Sequence, residues 1–476
     1  MALSPPTAYR DRMLAAVLLL LPAADLDYAP AGCGNPLQGL VPYDGDWAEW
    51  AEEHAVRKKG RIAEAFPHTL EFSYFGMADL APEPDRFDWA PLEEKLDDIA
   101  SRGHQTVFRI FLEYPGRNDG LPKWLESSGV KVTRWRSPEA TEAEEGVIAT
   151  PDYEDERVRE LLVRFIGELG ERYDGDPRVG YITAGLLGMW GEWHNYPRDD
   201  LMASVATQRA VLDAYDAAFS RTPILLRYPA GEGDDQYAAN VARGFGFHDD
   251  SFAWATLPTG RNADDWFFLH LLNEAGGQDV WKRQPIGGEI RPELWGKIFD
   301  APDGQPKKAH RKAQDFVECV ERSHVTWLME SGFFGNPQPS GEKAKRRYEQ
   351  ALARVAKMGY EFHVSQVHKD ESQLEVTIRN TGVAPLYHDW RPVLRYRRAS
   401  GDGPNAYTGS TELSTDWSLA GLLPGESRSF VHHLPDDAAG AVLMQIPNAL
   451  PNGPPIRFAN ATQDADIEGW LTLPVE

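Results

Sequence analysis

The chain has 476 residues, more than one ordinary domain holds, and its 42% hydrophobic and 26% charged residues argue against the disordered, fibrous and membrane classes. A net charge of −24, with no stripe of Lys and Arg to neutralise phosphates, excludes nucleic acid as the expected partner and favours a soluble surface that meets neutral molecules. The two cysteines, Cys33 and Cys319, stand far apart and in no metal-ligand spacing, which argues against a disulfide framework.

At the N-terminus Arg10 and Arg12 precede "MLAAVLLLLPAA", an apolar run of signal-peptide length that is too short to span a bilayer. Residues 1–34 therefore read in one of two ways. A cleaved signal would make the protein secreted or periplasmic; an N-terminal extension carrying a buried helix would leave it cytoplasmic. Asp11 between the arginines is atypical of a signal, and "PAGC" is a poor lipoprotein box because Pro30 takes the place of a leucine. No later stretch is apolar enough to cross a membrane.

Over residues 35–357, short apolar runs alternate with amphipathic ones. "LQGLVPYDGDW" reads as a first strand, "HTLEFSYFGMADL" as a second, and "FDWAPLEEKLDDIASRGH" as a helix with Leu92, Leu96 and Ile99 on one face and Gly103 as its stop. "QTVFRIFLEYPG" is the third strand, followed by a polar loop over 117–152. A helix with Leu161, Leu162, Phe165, Ile166 and Leu169 in a stripe comes next. "VGYITAGLLGMWGEWH" is the fourth strand and its exit loop. "TPILLRYP", "FGFHDDSF", "QPIGGEIRP" and "HVTWLMESGFF" end four more, with helical runs interspersed. Eight strands alternating with helices predict a closed (β/α)8 barrel; an open doubly wound sheet is disfavoured because no Gly-rich phosphate loop follows the early strands. From 358 to 476 the pattern changes to short alternating runs broken by Gly, Pro and Asn, which predicts a small antiparallel β-sandwich.

In such a barrel the chemistry sits just past the strands. The residues there are Tyr43, Asp44 and Asp46; Met77 and Asp79; Arg109, Glu113 and Tyr114; Trp190, Glu192, Trp193 and His194; Arg227 and Tyr228; His248, Asp249 and Asp250; Glu289 and Arg291; Trp327 and Glu330. Paired histidines at metal-ligand spacing and a G-x-S-x-G elbow are both missing, so neither a metal nor another cofactor is expected and serine-hydrolase chemistry is disfavoured. Carboxylates and aromatics are in excess instead. The 15 tryptophans suit stacking on the apolar faces of sugar rings, or equally the filling of a large barrel.

Glycoside hydrolysis needs one protonated carboxyl group and one ionised one. Trp190 and Trp193 around Glu192 would lower the local dielectric and raise its pKa, as an acid requires. Glu289 follows two glycines that would admit substrate, and Arg291 could keep it ionised. Each also has a structural reading: Glu192 pairing with Arg109 or Arg227, and Glu289 closing the barrel top in a salt bridge. Arg109, Glu113, Tyr114, Trp190, Trp193, His194, Arg227, Tyr228, Asp249, Arg291 and Trp327 are the expected substrate contacts.

The passage from "EFSYFGMADLAPEPDRFDWAPLEEKLDDIASRGHQTVFRIFLEYPG" to "LPKWL" resembles the strand 2 to strand 3 region of clan A glycoside hydrolases, especially family 42 β-galactosidase-like barrels. That resemblance implies an acid/base after strand 4 and a nucleophile after strand 7, the places of Glu192 and Glu289. It departs at Gly191, where the clan keeps an asparagine that contacts the sugar 2-hydroxyl. Over nearly the whole chain, "NPLQGL", "GMWGEWH", "GGEI", "NTGVAPLY" and "LLPG" resemble the bacterial domain of unknown function 4832, a family whose name implies no activity. The expected function is a glycosidase acting on a poly- or oligosaccharide, or else a non-catalytic carbohydrate-binding barrel.

Overall fold

The computed structural model describes residues 24–45, 66–117, 119–138, 146–261, 265–334, 341–370, 372–399, 407–436 and 438–474. Asp46 and the apolar N-terminal run up to residue 23 lie outside them.

Eight parallel strands follow one another in chain order: β1 (Gly39–Val41), β2 (Leu70–Gly76), β3 (Gln105–Phe111), β4 (Val179–Thr183), β5 (Ile224–Leu226), β6 (Gly246–Phe252), β7 (Ile286–Ile290) and β8 (Trp327–Met329). β8 returns beside β1 with Trp327 opposite Gly39. A parallel bridge between Tyr43 and Phe72, with the Phe72 amide donating to Pro42 at 2.8 Å, closes the ring. The chain forms the predicted (β/α)8 barrel. Strands buried on both faces explain why their sequences are continuous apolar runs.

Helices α1 (Ala90–Ser101), α2 (Glu156–Tyr173), α3 (Val205–Ala218), α4 (Phe268–Glu274), α5 (Phe316–Ser323) and α6 (Gly341–Val355) wrap the sheet. The predicted stripes are the buried ones. Leu92, Leu96 and Ile99 of α1, and Leu161 through Leu169 of α2, pack on the outer sides of the strands, each such side chain worth about 1.5–3 kcal/mol of burial. Asp155 and Asp315 cap α2 and α5 by accepting from the amides of Arg157 and Glu318. Between β5 and β6 the chain crosses residues 227–245 without a helix. The expected polar loop over 117–152 instead contains a two-stranded hairpin, Val132–Trp135 against Ile148–Pro151, whose Trp135 and Ile148 pack with Met189 and Trp190 beside the fourth strand.

The C-terminal region is the predicted sandwich of two antiparallel sheets. Its strands are β9 (Phe362–Asp370), β10 (Gln373–Asn380), β11 (Val393–Ala399), β12 (Tyr407–Ser414), β13 (Ser427–His433), β14 (Ala438–Gln445) and β15 (Leu471–Leu473). One sheet runs β9-β10-β13 and the other β12-β11-β14-β15. Period-2 alternation puts Leu374, Val376 and Ile378 of β10 in the core. Ala24–Asp25 add a short strand at the edge of β9, and Ala29 and Asn35 bond to Ala459 and Arg457, so this stretch of the N-terminal segment lies along the sandwich. The sandwich covers the N-terminal end of the barrel: Tyr360 bonds Pro36, Gly359 bonds Val325, and His388 meets the ring of Tyr181. One apolar cluster runs from Leu70, Tyr181 and Trp327 inside the barrel to Tyr360 and Trp390 in the sandwich. The opposite end of the barrel is left for chemistry.

Candidate functional site

Successive side chains on a strand point to opposite faces. Phe108, Ile110, Phe247, Ile286 and Ile290 face the helices. Their neighbours Arg109, His248, Asp250 and Glu289 are therefore turned inward near the C-terminal strand ends, with Thr183 and Arg227 beside them.

Arg109 is the centre of this layer, buried to 2% exposure. Its Nε donates to Thr183 Oγ1 at 3.0 Å, Nη1 to Tyr74 Oη at 3.1 Å and to Glu192 Oε1 at 3.2 Å, and Nη2 to Asp250 Oδ2 at 2.9 Å. His248 Nδ1 lies 2.7 Å from Asp250 Oδ1. Burial alone would raise the Asp250 pKa, but Arg109 and then His248 hold it below the usual carboxylate range. Asp250 is thus a fixed anion that keeps the Arg109 guanidinium in place.

The two expected catalytic carboxyls stand at this layer in different surroundings. Glu192 makes an ion pair with Arg109 and lies 3.5 Å from His194 Nε2. Glu289 accepts no hydrogen bond among the described residues; burial first, then the charges of Asp250 and Glu192, push its pKa well above the ordinary value. Trp193 does not frame Glu192 as expected: its ring is turned into the core with its indole N–H on Ala184 O at 2.6 Å. Trp190 packs on the 132–151 hairpin and meets the ring of His194 at 6.1 Å.

The backbone explains this turn. Leu186, Gly188, Trp190, Gly191 and Trp193 all have φ between +56° and +77°, a left-handed conformation that costs non-glycine residues energy and clusters at functional loops. At Gly191 a Cβ would lie 3.0 Å from Gly185 Cα and 3.2 Å from Ile110 O. A glycine there, where the resembling clan keeps an asparagine, is therefore a requirement of the local packing.

Several other expected contacts are engaged in bonds within the fold. Glu113 is buried and accepts from Thr150, from Tyr153 at 2.6 Å and from Asn195 at 3.3 Å; burial, only partly offset by these bonds, raises its pKa to about 7. Asp249 faces away from the barrel axis and caps the turn over 249–256 through Ser251 N and Thr256 Oγ1. Trp327 fills the barrel interior, stacked 5.9 Å from Tyr181. Gly287 makes room for that indole, since a Cβ would lie 2.1 Å from it, and Gly288 makes room for Asp249 O at 2.4 Å, so the glycines before Glu289 serve packing rather than substrate access. Arg291 pairs with Glu293 and not with Glu289. Asp44 pairs with Lys95, Asp79 is exposed, Met77 is core, and Glu330 caps the chain at Gly296 and Phe333.

Tyr114, His194 and Tyr228 do line the mouth: Tyr114 lies edge-on to Tyr74, and Tyr228 stacks on Tyr237 at 4.8 Å and meets His194 edge-on. Sequence reasoning undervalued Asp250, His248, Tyr43, Tyr74 and Trp295. Tyr43 packs against both Tyr74 and Trp295. Burial, with Glu289 among the neighbouring charges, keeps the two phenols protonated far above the usual range, so they can donate hydrogen bonds at the mouth. Strict alternation along "FHDD" was the available signal for choosing Asp250 over Asp249.

Among the described residues one His/Glu group, His68, Glu71 and His104, brings potential metal-ligand atoms within 4.8 Å of one another. Arg102 already holds both Glu71 oxygens, at 2.9 and 2.7 Å, and His104 takes one of them at 2.6 Å. A guanidinium thus sits where an added cation would need the carboxylate.

No family model matches the chain. Among curated proteins, β-galactosidase Bga of Halorubrum lacusprofundi is 27% identical over 140 residues, which is 29% of this chain and 19% of that enzyme's length. Among solved structures, endo-glycoceramidase II from Rhodococcus sp. aligns over 86% of this chain and 100% of its own at 11% identity and TM-score 0.41. A β-galactosidase from the psychrophilic Marinomonas ef1 aligns over 65% and 58% at 12% identity and TM-score 0.36.

Proposed function

We propose that the barrel mouth hydrolyses a glycosidic bond with Glu289 and Glu192. The observation that carries this reading is the asymmetry of the two carboxyls at β7 and at the exit of β4: one buried with no hydrogen-bond partner among the described residues, the other ion-paired to Arg109. Glu289, whose burial favours the protonated form, passes its proton to the glycosidic oxygen as the C1–O bond breaks. Glu192 is the carboxylate that either attacks C1 or takes a proton from the attacking water. These roles exchange those expected from the clan resemblance. Tyr43, Tyr74 and Tyr114 supply hydroxyls and ring edges for a sugar, and Tyr228, whose ring stacks on Tyr237 and carries the Arg227 guanidinium, supplies its hydroxyl.

The partial likeness to a β-galactosidase supports the same class, and the motifs shared with domain of unknown function 4832 support membership of that family. A second reading, carbohydrate binding without cleavage, is favoured by one observation: the Arg109 ion pair already occupies an oxygen of Glu192. The test is a panel of aryl glycosides and polysaccharides against the purified protein, with Glu192→Gln and Glu289→Gln as controls. Cleavage lost in both variants supports hydrolysis. Cleavage that survives both substitutions overturns the assignment, and glycan binding without cleavage selects the second reading.

A further inference from the structure

Two features of the mouth are not used by a neutral sugar. The first is Arg227. It is 4% exposed, its guanidinium lies 4.7 Å over the Tyr228 ring, and its Nε and Nη1 have no hydrogen-bond partner among the described residues. Asp250 Oδ2 stands 4.0 Å from Nε, but Asp250 is already engaged by Arg109 and His248. A buried guanidinium short of acceptors is costly unless something supplies them. The 4.0 Å approach to Asp250, which Arg109 and His248 also hold, places Arg227 in the inward layer.

The second feature is the rim. On a chain of net charge −24, the segment "KKAHRK" (307–312) puts Lys307, Lys308, Arg311 and Lys312 on the surface, none in an ion pair among the described residues. It belongs to the connection between β7 and α5. Lys312 Nζ lies 4.9 Å over the ring of Trp254, His310 stacks on that ring at 4.8 Å, and Arg291 approaches it at 5.8 Å. Trp254 follows β6 by two residues and Arg291 follows β7 by one, so this cationic, aromatic platform stands at the exits of the strands that carry Asp250 and Glu289.

We propose that the glycan taken by this mouth is acidic, its uronate carboxylate bound by Arg227 while the 307–312 segment holds neighbouring acidic units at the rim. This rests on the reading of the mouth as a sugar site. A carboxylate supplies the acceptors that a guanidinium lacks, in charge-assisted bonds stronger than neutral ones. On a chain of net charge −24 the acidic surface repels a polyanion, which favours approach at this basic rim. A sulfate ester shares this chemistry.

The test is calorimetric titration of the full chain with length-matched oligogalacturonate, sulfated oligogalactan and neutral oligogalactan, at low and high salt. The expected result is that oligogalacturonate binds about tenfold or more tighter than the neutral oligomer and weakens with salt. Arg227→Gln abolishes that preference. Joint replacement of Lys307, Lys308, Arg311 and Lys312 by serine, on the surface and so independent of folding, weakens acidic binding severalfold and flattens its salt dependence. Neutral binding as tight as acidic binding, no binding of any of the three, or an acidic preference unchanged in the surface variant overturns the proposal; a preference for the sulfated oligomer overturns the uronate assignment. Acidic binding without cleavage sinks the hydrolase reading alone, and cleavage of neutral glycans by a protein that ignores the acidic ones sinks this proposal alone.

Discussion

The two ends of one barrel interior are built from opposite chemistry. Toward the sandwich, the inward positions of the strands are Leu70, Tyr181, Leu225 and Trp327, which join the sandwich residues Tyr360 and Trp390 in one apolar cluster. At the other end the inward positions are Arg109, Arg227, Asp250 and Glu289. The same period-2 rule places both sets, so the difference lies in which residue occupies each inward site. A closed lower end supplies stability, and the charged upper end is held in place by it. Glu113 and Glu289 sharpen the point: both are buried carboxyls with raised pKa, but Glu113 accepts three hydrogen bonds and Glu289 accepts none among the described residues.

The largest effect should come from the upper end. Glu289→Gln or Glu192→Gln is expected to lower kcat/KM by about a thousandfold on any aryl glycoside that the panel shows to be cleaved, with the thermal midpoint kept in Glu289→Gln because a neutral amide replaces a buried carboxyl whose neutral form is already favoured. A loss of activity that tracks a loss of folding would erase the distinction between the two ends. If Glu289 is the acid proposed above, activity falls as pH rises through its elevated pKa, and the alkaline limb of the kcat/KM profile reports it.

At the lower end, Trp327→Ala is expected to cost about 3–5 kcal/mol in urea denaturation, because the indole is buried and stacked on Tyr181. Glycan affinity of the folded fraction should stay unchanged; a change in affinity would mean that the lower layer is not merely support.

Glu113 gives a pH test of comparable size. Its folded pKa of about 7 exceeds the ordinary carboxylate value of 4.5. Below 4.5 both states are protonated; between 4.5 and 7 the unfolded chain releases a proton that the folded one retains, so stability falls with rising pH, by about 3 kcal/mol in all. In Glu113→Gln this part of the pH dependence of unfolding should vanish. A smaller effect, about 1–3 kcal/mol, is expected for Gly287→Ala, whose Cβ would collide with the Trp327 indole. A neutral result there would show that Trp327 can move.

The strand and helix alternation, the helical stripes of α1 and α2 and the change to short alternating runs near residue 358 were legible because hydrophobic periodicity is a local property of the chain. The barrel, the sandwich and the positions of Glu192 and Glu289 at the exits of β4 and β7 follow from it. Local pattern could not decide where the side chains of the exit loops point. The left-handed backbone at Trp193 accompanies an indole turned into the core, and Arg109, 83 positions before Glu192, pairs with the carboxylate instead. Gly287 and Gly288 answer to an indole on β8 and a carbonyl on β6. Glu113 is claimed by Thr150, Tyr153 and Asn195. Contacts between residues so far apart exist only once the ring of strands has closed, since closure alone sets which inward groups share a layer and hence which carboxyl is paired and which keeps its proton.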